Sequence, residues 1–165
     1  MFSVGILTIS DRGWSGERED KSGEAIRQIL SRLDVCTVNY DVVPDEKELI
    51  AQKLIKWADE DSLDLILTTG GTGLGPRDVT PEATLSVLDR VVPGFAEAMR
   101  AESLKKTPHA MLSRAVAGTR GSCLIINLPG SPKAVRECLE VILPALPHAL
   151  ETLKGRASEC ATPET

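Results

Sequence analysis

Aromatic residues are scarce in this chain: 3% of its 165 positions are Phe, Trp or Tyr, so its core has to be aliphatic. Histidine appears only at His109 and His148, and no C-x-x-C pair occurs among Cys36, Cys123, Cys138 and Cys160. The usual signatures of a zinc or dithiol redox site are therefore missing. Cys36, Cys123 and Cys138 fall on apolar faces of the expected elements, where a thiol acts as a small hydrophobe suited to a reducing compartment. Net positive charge is absent too. A formal charge of −5 offers no basic field to nucleic acid or an anionic membrane, so an anionic ligand would need local donors. No stretch approaches a membrane span, and "MFSVGILTIS" is too short, and lacks the basic start, to be a signal peptide. Together these absences predict a cytoplasmic protein.

What remains is an ordinary globular composition, 42% hydrophobic and 26% charged, of a length suited to one domain. Short apolar runs alternate with amphipathic ones. Strands are expected over 3–9, 35–43 and 63–69, and a strand pair over 114–121 and 123–128. Helices are expected over 22–33, 45–59, 81–90 and 94–106, with a last helical region from Val135 that Pro144 and Pro147 interrupt or restart. Strands alternating with helices imply an α/β fold, a three-layer sandwich around a mostly parallel sheet. The strand pair adds one antiparallel strand. A single domain over 1–154 is expected, followed by a polar, aperiodic and disordered tail, "GRASECATPET".

In such sheets ligands bind beyond the carboxyl ends of the strands, so the loops after strands carry the interest. The first is "SDRGWSGERED" (10–20), which alone reads as a solvated loop with Trp14 packing as a lid. In "PDE" (44–46), Asp45 with Glu48 matches a D-x-x-E helix start, so the local reading is a capping box. The third is "TTGGTGLGPRDVTPEA". It follows a strand yet lacks both the G-K-[ST] of a Walker loop and the G-x-G-x-x-G of a dinucleotide fold. Glycine costs more backbone entropy than any other residue, so this density implies tight turning or close approach of a ligand to the backbone.

Successive N–H groups at Gly70, Gly71, Thr72 and Gly73 form a concave nest for an anion. Thr80 reads as a helix cap with Pro81 at the first helical position, leaving Asp78 free as a magnesium ligand. Equally, Arg77 and Asp78 could form a surface ion pair. The fourth loop is "NLPGSPKAV". There Ser131 caps a helix, Pro132 occupies its first turn, and Lys133 adds a cation to the helix N-terminus. Together the loops gather N–H-rich turns, acids and cations at one sheet edge, as a phosphate- and magnesium-dependent ligand requires.

These residues resemble a known family. "TTGGTGLGPRDVTPEA" with "LPGSPKAV", preceded by "SDR" and "PDE", is similar to the molybdopterin-binding fold of molybdenum-cofactor biosynthesis. The resemblance is to molybdopterin adenylyltransferases: the bacterial Mog-type enzymes and the G domains of gephyrin and the plant molybdenum-cofactor protein. It runs from Val4 to Leu153. The resemblance implies transfer of AMP from Mg2+-bound ATP to the terminal phosphate of molybdopterin, with pyrophosphate released.

It matches the family's catalytic aspartates to Asp45 and Asp78, which would serve as the magnesium ligands, and its phosphate nest to Gly70, Gly71, Thr72 and Gly73. Ser10, Asp11 and Arg12 join the nucleotide side. Ser113, Asn127, Pro129, Gly130, Ser131 and Lys133 are the molybdopterin-binding positions, Ser131 standing where many relatives carry Asn or Gln. Arg12, Arg77, Arg114 and Lys133 are the candidate cations. By analogy the protein is a homo-oligomer, a trimer, in transient contact with other cofactor enzymes. The alternatives are a non-catalytic molybdopterin carrier, a molybdate-insertion partner and, more remotely, a domain acting on pyridine nucleotides.

Overall fold

Each central strand reads as an unbroken apolar run because the sheet is covered on both faces. The computed structural model describes residues 1–156. Six strands lie in the order β2-β1-β3-β6-β5-β4. They are β1 (Phe2–Ile9), β2 (Val35–Val43), β3 (Leu65–Thr69), β4 (Arg90–Val91), β5 (Ala117–Arg120) and β6 (Cys123–Leu128). β1, β2, β3 and β6 pair in parallel, while β5 runs against both of its neighbours, as the strand pair required.

Period-two alternation divides the core. Val4, Ile6, Leu65, Leu67, Leu124 and Ile126 pack with α2 (Lys21–Leu30), α6 (Pro132–Ile142) and α7 (Leu146–Leu153). Leu7, Ile9, Ile66 and Ile125 face the other layer, with Ile50 and Leu54 of α3 (Lys47–Ile55) and Ala83 and Val87 of α4 (Thr80–Val87). Met99 of α5 (Gly94–Leu104) joins the first layer. The sandwich is therefore three layers deep, as expected.

Several boundaries differ from the sequence reading. The second helix stops at Leu30, where Arg32 and Leu33 donate to the carbonyls of Ile29 and Leu30 in tight turns. The third begins at Lys47 and widens into a π-helical turn, Lys56–Glu60, that seats Trp57 in the core. Gly5 makes that seat available: a Cβ there would lie 2.7 Å from the Trp57 ring and from Leu63. Three short elements escaped the periodicity: the helical turn α1 (Asp11–Trp14), β4, and the 3-10 turn Pro108–Leu112. Each is too brief to show a repeat. Pro144 and Pro147 restart the last helix as expected, through a 3-10 turn, Leu143–Ala145. Cys123 and Cys138 are buried, but Cys36 is exposed because β2 is an edge strand. The disordered tail expected over 155–165 lies, from position 157 onward, outside the described residues.

Register fixes the site. Thr8 pairs with Thr69, and Thr69 with Leu128, so β1, β3 and β6 end level and their following loops emerge side by side. From β1 the chain leaves to β2 on one side, and from β3 it leaves toward β6 on the other, which opens a crevice between them. Ile66, fully buried at the centre of this arrangement, supports that alignment. Ile66→Ala should cost about 2–5 kcal/mol, measurable as a lower urea midpoint with an unchanged slope.

Candidate functional site

A cleft of about 740 Å³ occupies this crevice, lined by Ser10, Asp20, Ser22, Asp45, Gly70, Gly71, Gly130 and Ser131 among others. Its wall takes in Gly70 and Gly71 at the start of the glycine loop, with Thr72, Gly73 and Asp78 beyond its lining. Gly70 and Gly71 have φ of +97° and +68°, a region that disfavours any residue with a Cβ. Crowding adds to this: a Cβ on Gly70 would lie 2.3 Å from the Ile9 carbonyl oxygen, and one on Gly71 equally close to the Thr80 hydroxyl.

The four carbonyls from Gly70 to Gly73 are all occupied. Thr80 Oγ1 donates to Gly70 O at 2.9 Å, and the Thr80 N–H to Gly71 O at 3.1 Å. The Arg114 N–H reaches Thr72 O at 2.8 Å, and Arg114 Nε reaches Gly73 O at 2.8 Å. By contrast, the N–H groups of Gly71, Thr72 and Gly73 donate to no acceptor among the described residues. A run of amides whose carbonyls are tied to the protein is an anion seat.

The two acids flank this seat. A Cβ on Gly71 would lie 3.1 Å from Asp45 Oδ1, and one on Gly73 would lie 3.0 Å from Asp78 Oδ2. Asp45 caps no helix. The residue before α3 is Glu46, which makes no side-chain cap bond, and Asp45 Oδ2 instead accepts the Asp11 N–H at 2.9 Å. Reciprocally, the Asp45 N–H donates to Asp11 Oδ1 at 3.0 Å, tying the loops after β1 and β2 together. Burial, and the negative charges of Asp11 and Asp78, push the Asp45 carboxyl above its usual range despite the Asp11 N–H. Asp11 shifts downward, held by the Arg77 guanidinium and then by the Asp45 N–H.

Other expectations change here. Thr80 is the first residue of α4 rather than its cap, and its hydroxyl serves Gly70. Asp78 is not wholly free, because Oδ2 accepts the Gly75 N–H at 2.9 Å. Arg77 pairs with Asp11 through two bonds of 3.0 Å, not with Asp78. Asp11 is thus committed to Arg77 and Asp45 rather than to a phosphate. Arg114 is committed to the loop rather than offered to a ligand. Asn127 is fully buried, its amide bonded to the hydroxyls of Thr68 and Thr84 and its oxygen accepting from Val116 N–H, and it stands outside the cleft lining.

Ser131 caps α6 through the Ala134 N–H as expected. Arg12 and Lys133 are exposed and stand outside the cleft wall, as does Trp14, 63% exposed and no lid. Ser113 and Pro129 line a separate cavity of about 220 Å³ behind the Pro129–Gly130 turn.

Sequence reasoning passed over the far half of the first loop, where Glu17, Arg18, Glu19 and Lys21 line the cleft. It also passed over the fixings of the rim. Asp20 caps α2 at the Gly23 N–H and accepts the hydroxyls of Thr8 and Tyr40. Burial and Asp20 together push Tyr40 up to about 12. Ser22 Oγ donates to Gly130 O and Thr69 Oγ1 to Pro129 O, pinning the fourth loop. The length and acidity of "GERED" were its only sequence signal.

Fold and site together define an α/β domain with a polar crevice at the switch point of its sheet. Residues 5–148 match the family model described as a probable molybdopterin binding domain, and the chain belongs to that family. It is 50% identical to a molybdopterin adenylyltransferase of Helicobacter pylori, over 92% of this chain and 88% of that one. The Escherichia coli molybdopterin adenylyltransferase is 41% identical over 96% and 88% of the two chains. Among solved structures, the molybdopterin biosynthesis enzyme MoaB of Thermus thermophilus superposes with a TM-score of 0.90 at 59% identity, covering 94% of this chain and 98% of its own.

The raised Asp45 makes a sign-definite prediction. Its ionisation costs the folded chain more than the unfolded one. That penalty is absent below the ordinary carboxyl value of 3.8 and complete above the folded value. Asp45→Asn, which keeps an oxygen for the Asp11 N–H, should melt higher than the parent at about pH 7, the gap closing toward about pH 3. Thermal unfolding across that range measures it.

Proposed function

We propose that this chain transfers AMP from ATP to the terminal phosphate of molybdopterin, a step of molybdenum-cofactor biosynthesis. The observation that carries the reading is the amide run at Gly71, Thr72 and Gly73 with an acid on either side. Two polyanions must meet in this reaction, so neutralisation and positioning supply most of the acceleration. An oxygen of the molybdopterin phosphate attacks the α-phosphorus, and a new P–O bond forms. The bond from the α-phosphorus to the bridging oxygen breaks, and pyrophosphate leaves with that electron pair. The nucleophile is already ionised, so neither Asp45 nor Asp78 is needed as a base.

The acids suit Mg2+. Burial and the negative charges of Asp11 and Asp78 disfavour ionisation of Asp45, a cost that a divalent cation would relieve. Among the described residues no three His, Cys, Asp or Glu cluster to form a complete cage. Two carboxylates plus phosphate oxygens are the donor set magnesium ordinarily takes. Asp45 and Asp78 would hold it, and it would supply neutralisation of the triphosphate.

The amides of the glycine loop receive phosphate oxygens, and the N-terminus of α6, capped by Ser131, presents its positive dipole end to the same cleft. Pro129 lines the cavity that holds Ser113 and Gly130 lines the cleft, an adjacency that supports a pterin seat next to the phosphate seat. Asp45 caps no helix, and while its Oδ2 holds the Asp11 N–H its Oδ1 lies beside Gly71, which supports an enzyme over a carrier. By family analogy the protein works in the cytoplasm as a homotrimer, in transient contact with other cofactor enzymes.

Pyrophosphate release, measured with ATP and magnesium in the presence and absence of molybdopterin, tests the reading. Release should require molybdopterin. Asp78→Asn should abolish it, a loss of about 100-fold or more, while molybdopterin binding survives. Release at near parental rate from Asp78→Asn would refute the metal-ligand role.

A further inference from the structure

Among the described residues, the Arg114 side chain ties the glycine loop, at Gly73 O, to the backbone of Asp78. Its backbone N–H takes Thr72 O and its Nε takes Gly73 O, two of the four carbonyls in the glycine loop. Its Nη2 donates to Asp78 O at 2.8 Å, and Nη1 meets the Glu82 carboxylate on α4. Those contacts bridge 32 to 42 positions of chain, from the 3-10 turn before β5 back to the glycine loop and the first turn of α4. Apart from Arg114, the loop between Gly73 and Asp78 is held among the described residues by the short turn at Gly75 and by the exposed pair of Arg77 with Asp11. We infer that Arg114 is a positioning residue: its planar fork, not its charge, holds the glycine loop with amides free and sets Asp78 beside them.

The distinction is physical. A guanidinium presents donors in a fixed plane and can hold Gly73 O and Asp78 O together, whereas an ammonium is a compact point donor on a flexible stem. If the fork matters, lysine at this position restores the charge and not the function. If the charge matters, because Arg114 turns outward to meet a phosphate, lysine restores most of it. The Glu82 contact is an exposed ion pair, 33% and 45% accessible at its two ends, and contributes little to the hold.

The test compares Arg114→Ala, Arg114→Lys and Glu82→Gln with the parent. The first readout is affinity for inorganic pyrophosphate by calorimetry without metal. The second is the steady-state KM for ATP against that for molybdopterin. Only the second readout rests on the adenylyl-transfer reading. A parent protein inert in AMP transfer would sink that reading and leave the pyrophosphate comparison standing.

Arg114→Ala and Arg114→Lys should both weaken pyrophosphate about tenfold or more and raise the ATP KM comparably, with the molybdopterin KM within about twofold of the parent. Glu82→Gln should stay within about twofold on every readout. Recovery of pyrophosphate affinity by lysine to within about twofold overturns the proposal, as does an equal rise in both KM values. Should the alanine chain fail to fold by circular dichroism, the lysine chain alone decides. A lysine chain that also fails to fold overturns the proposal in favour of a purely structural role.

Discussion

Four consecutive carbonyls, Gly70 to Gly73, are each held by a protein donor from Thr80 or Arg114. The rest of the site follows from that constraint. A peptide unit whose oxygen is tied down cannot swing, so its N–H is fixed as well. Two glycines with positive φ let the loop take this course, and the Ile9 carbonyl and Thr80 hydroxyl leave no room for a side chain there. The glycines of this stretch therefore answer to both demands at once, tight turning and close approach.

Around that loop the fold spends polar groups on fixing backbone. Hydroxyls of Ser22 and Thr69 hold the Pro129–Gly130 turn, Asp20 and Tyr40 hold the start of α2, and Asp11 and Asp45 clasp each other's N–H groups. Level strand ends on β1, β3 and β6 bring these fixings to one rim. Asp45 is held under electrostatic tension, pushed above its usual range by burial and by like charges. An acid kept in that condition is better suited to receiving a cation than to supporting the empty fold, a common trade at functional sites.

The sheet was legible in the sequence because its strands carry the apolar runs of two-sided burial, and α2 and α6 because their apolar positions recur at helical spacing. Site residues were legible where the signal is local: the glycines, and Ser131 capping α6 three residues on. Reading failed where a partner lies far along the chain. Asp45 and Thr80 each fit a local capping pattern, yet their bonds go to Asp11 and Gly70. Arg114 looked like a spare cation because nothing near it in sequence reveals Gly73 or Asp78 as its acceptors. Asn127, one residue before a strand end, looked available to a ligand. Its amide is consumed by Thr68 on the neighbouring strand and Thr84 on α4, a pairing visible only in three dimensions.

The most direct test of the central claim is a titration of the 15N-labelled protein with ATP, following each backbone amide. The account predicts that the amide signals of Gly71, Thr72 and Gly73 move most, as their protons gain acceptors. Signals from these three that stay fixed at saturation, while those at the start of α6 or along Glu17 to Lys21 move, would show that the phosphates sit elsewhere.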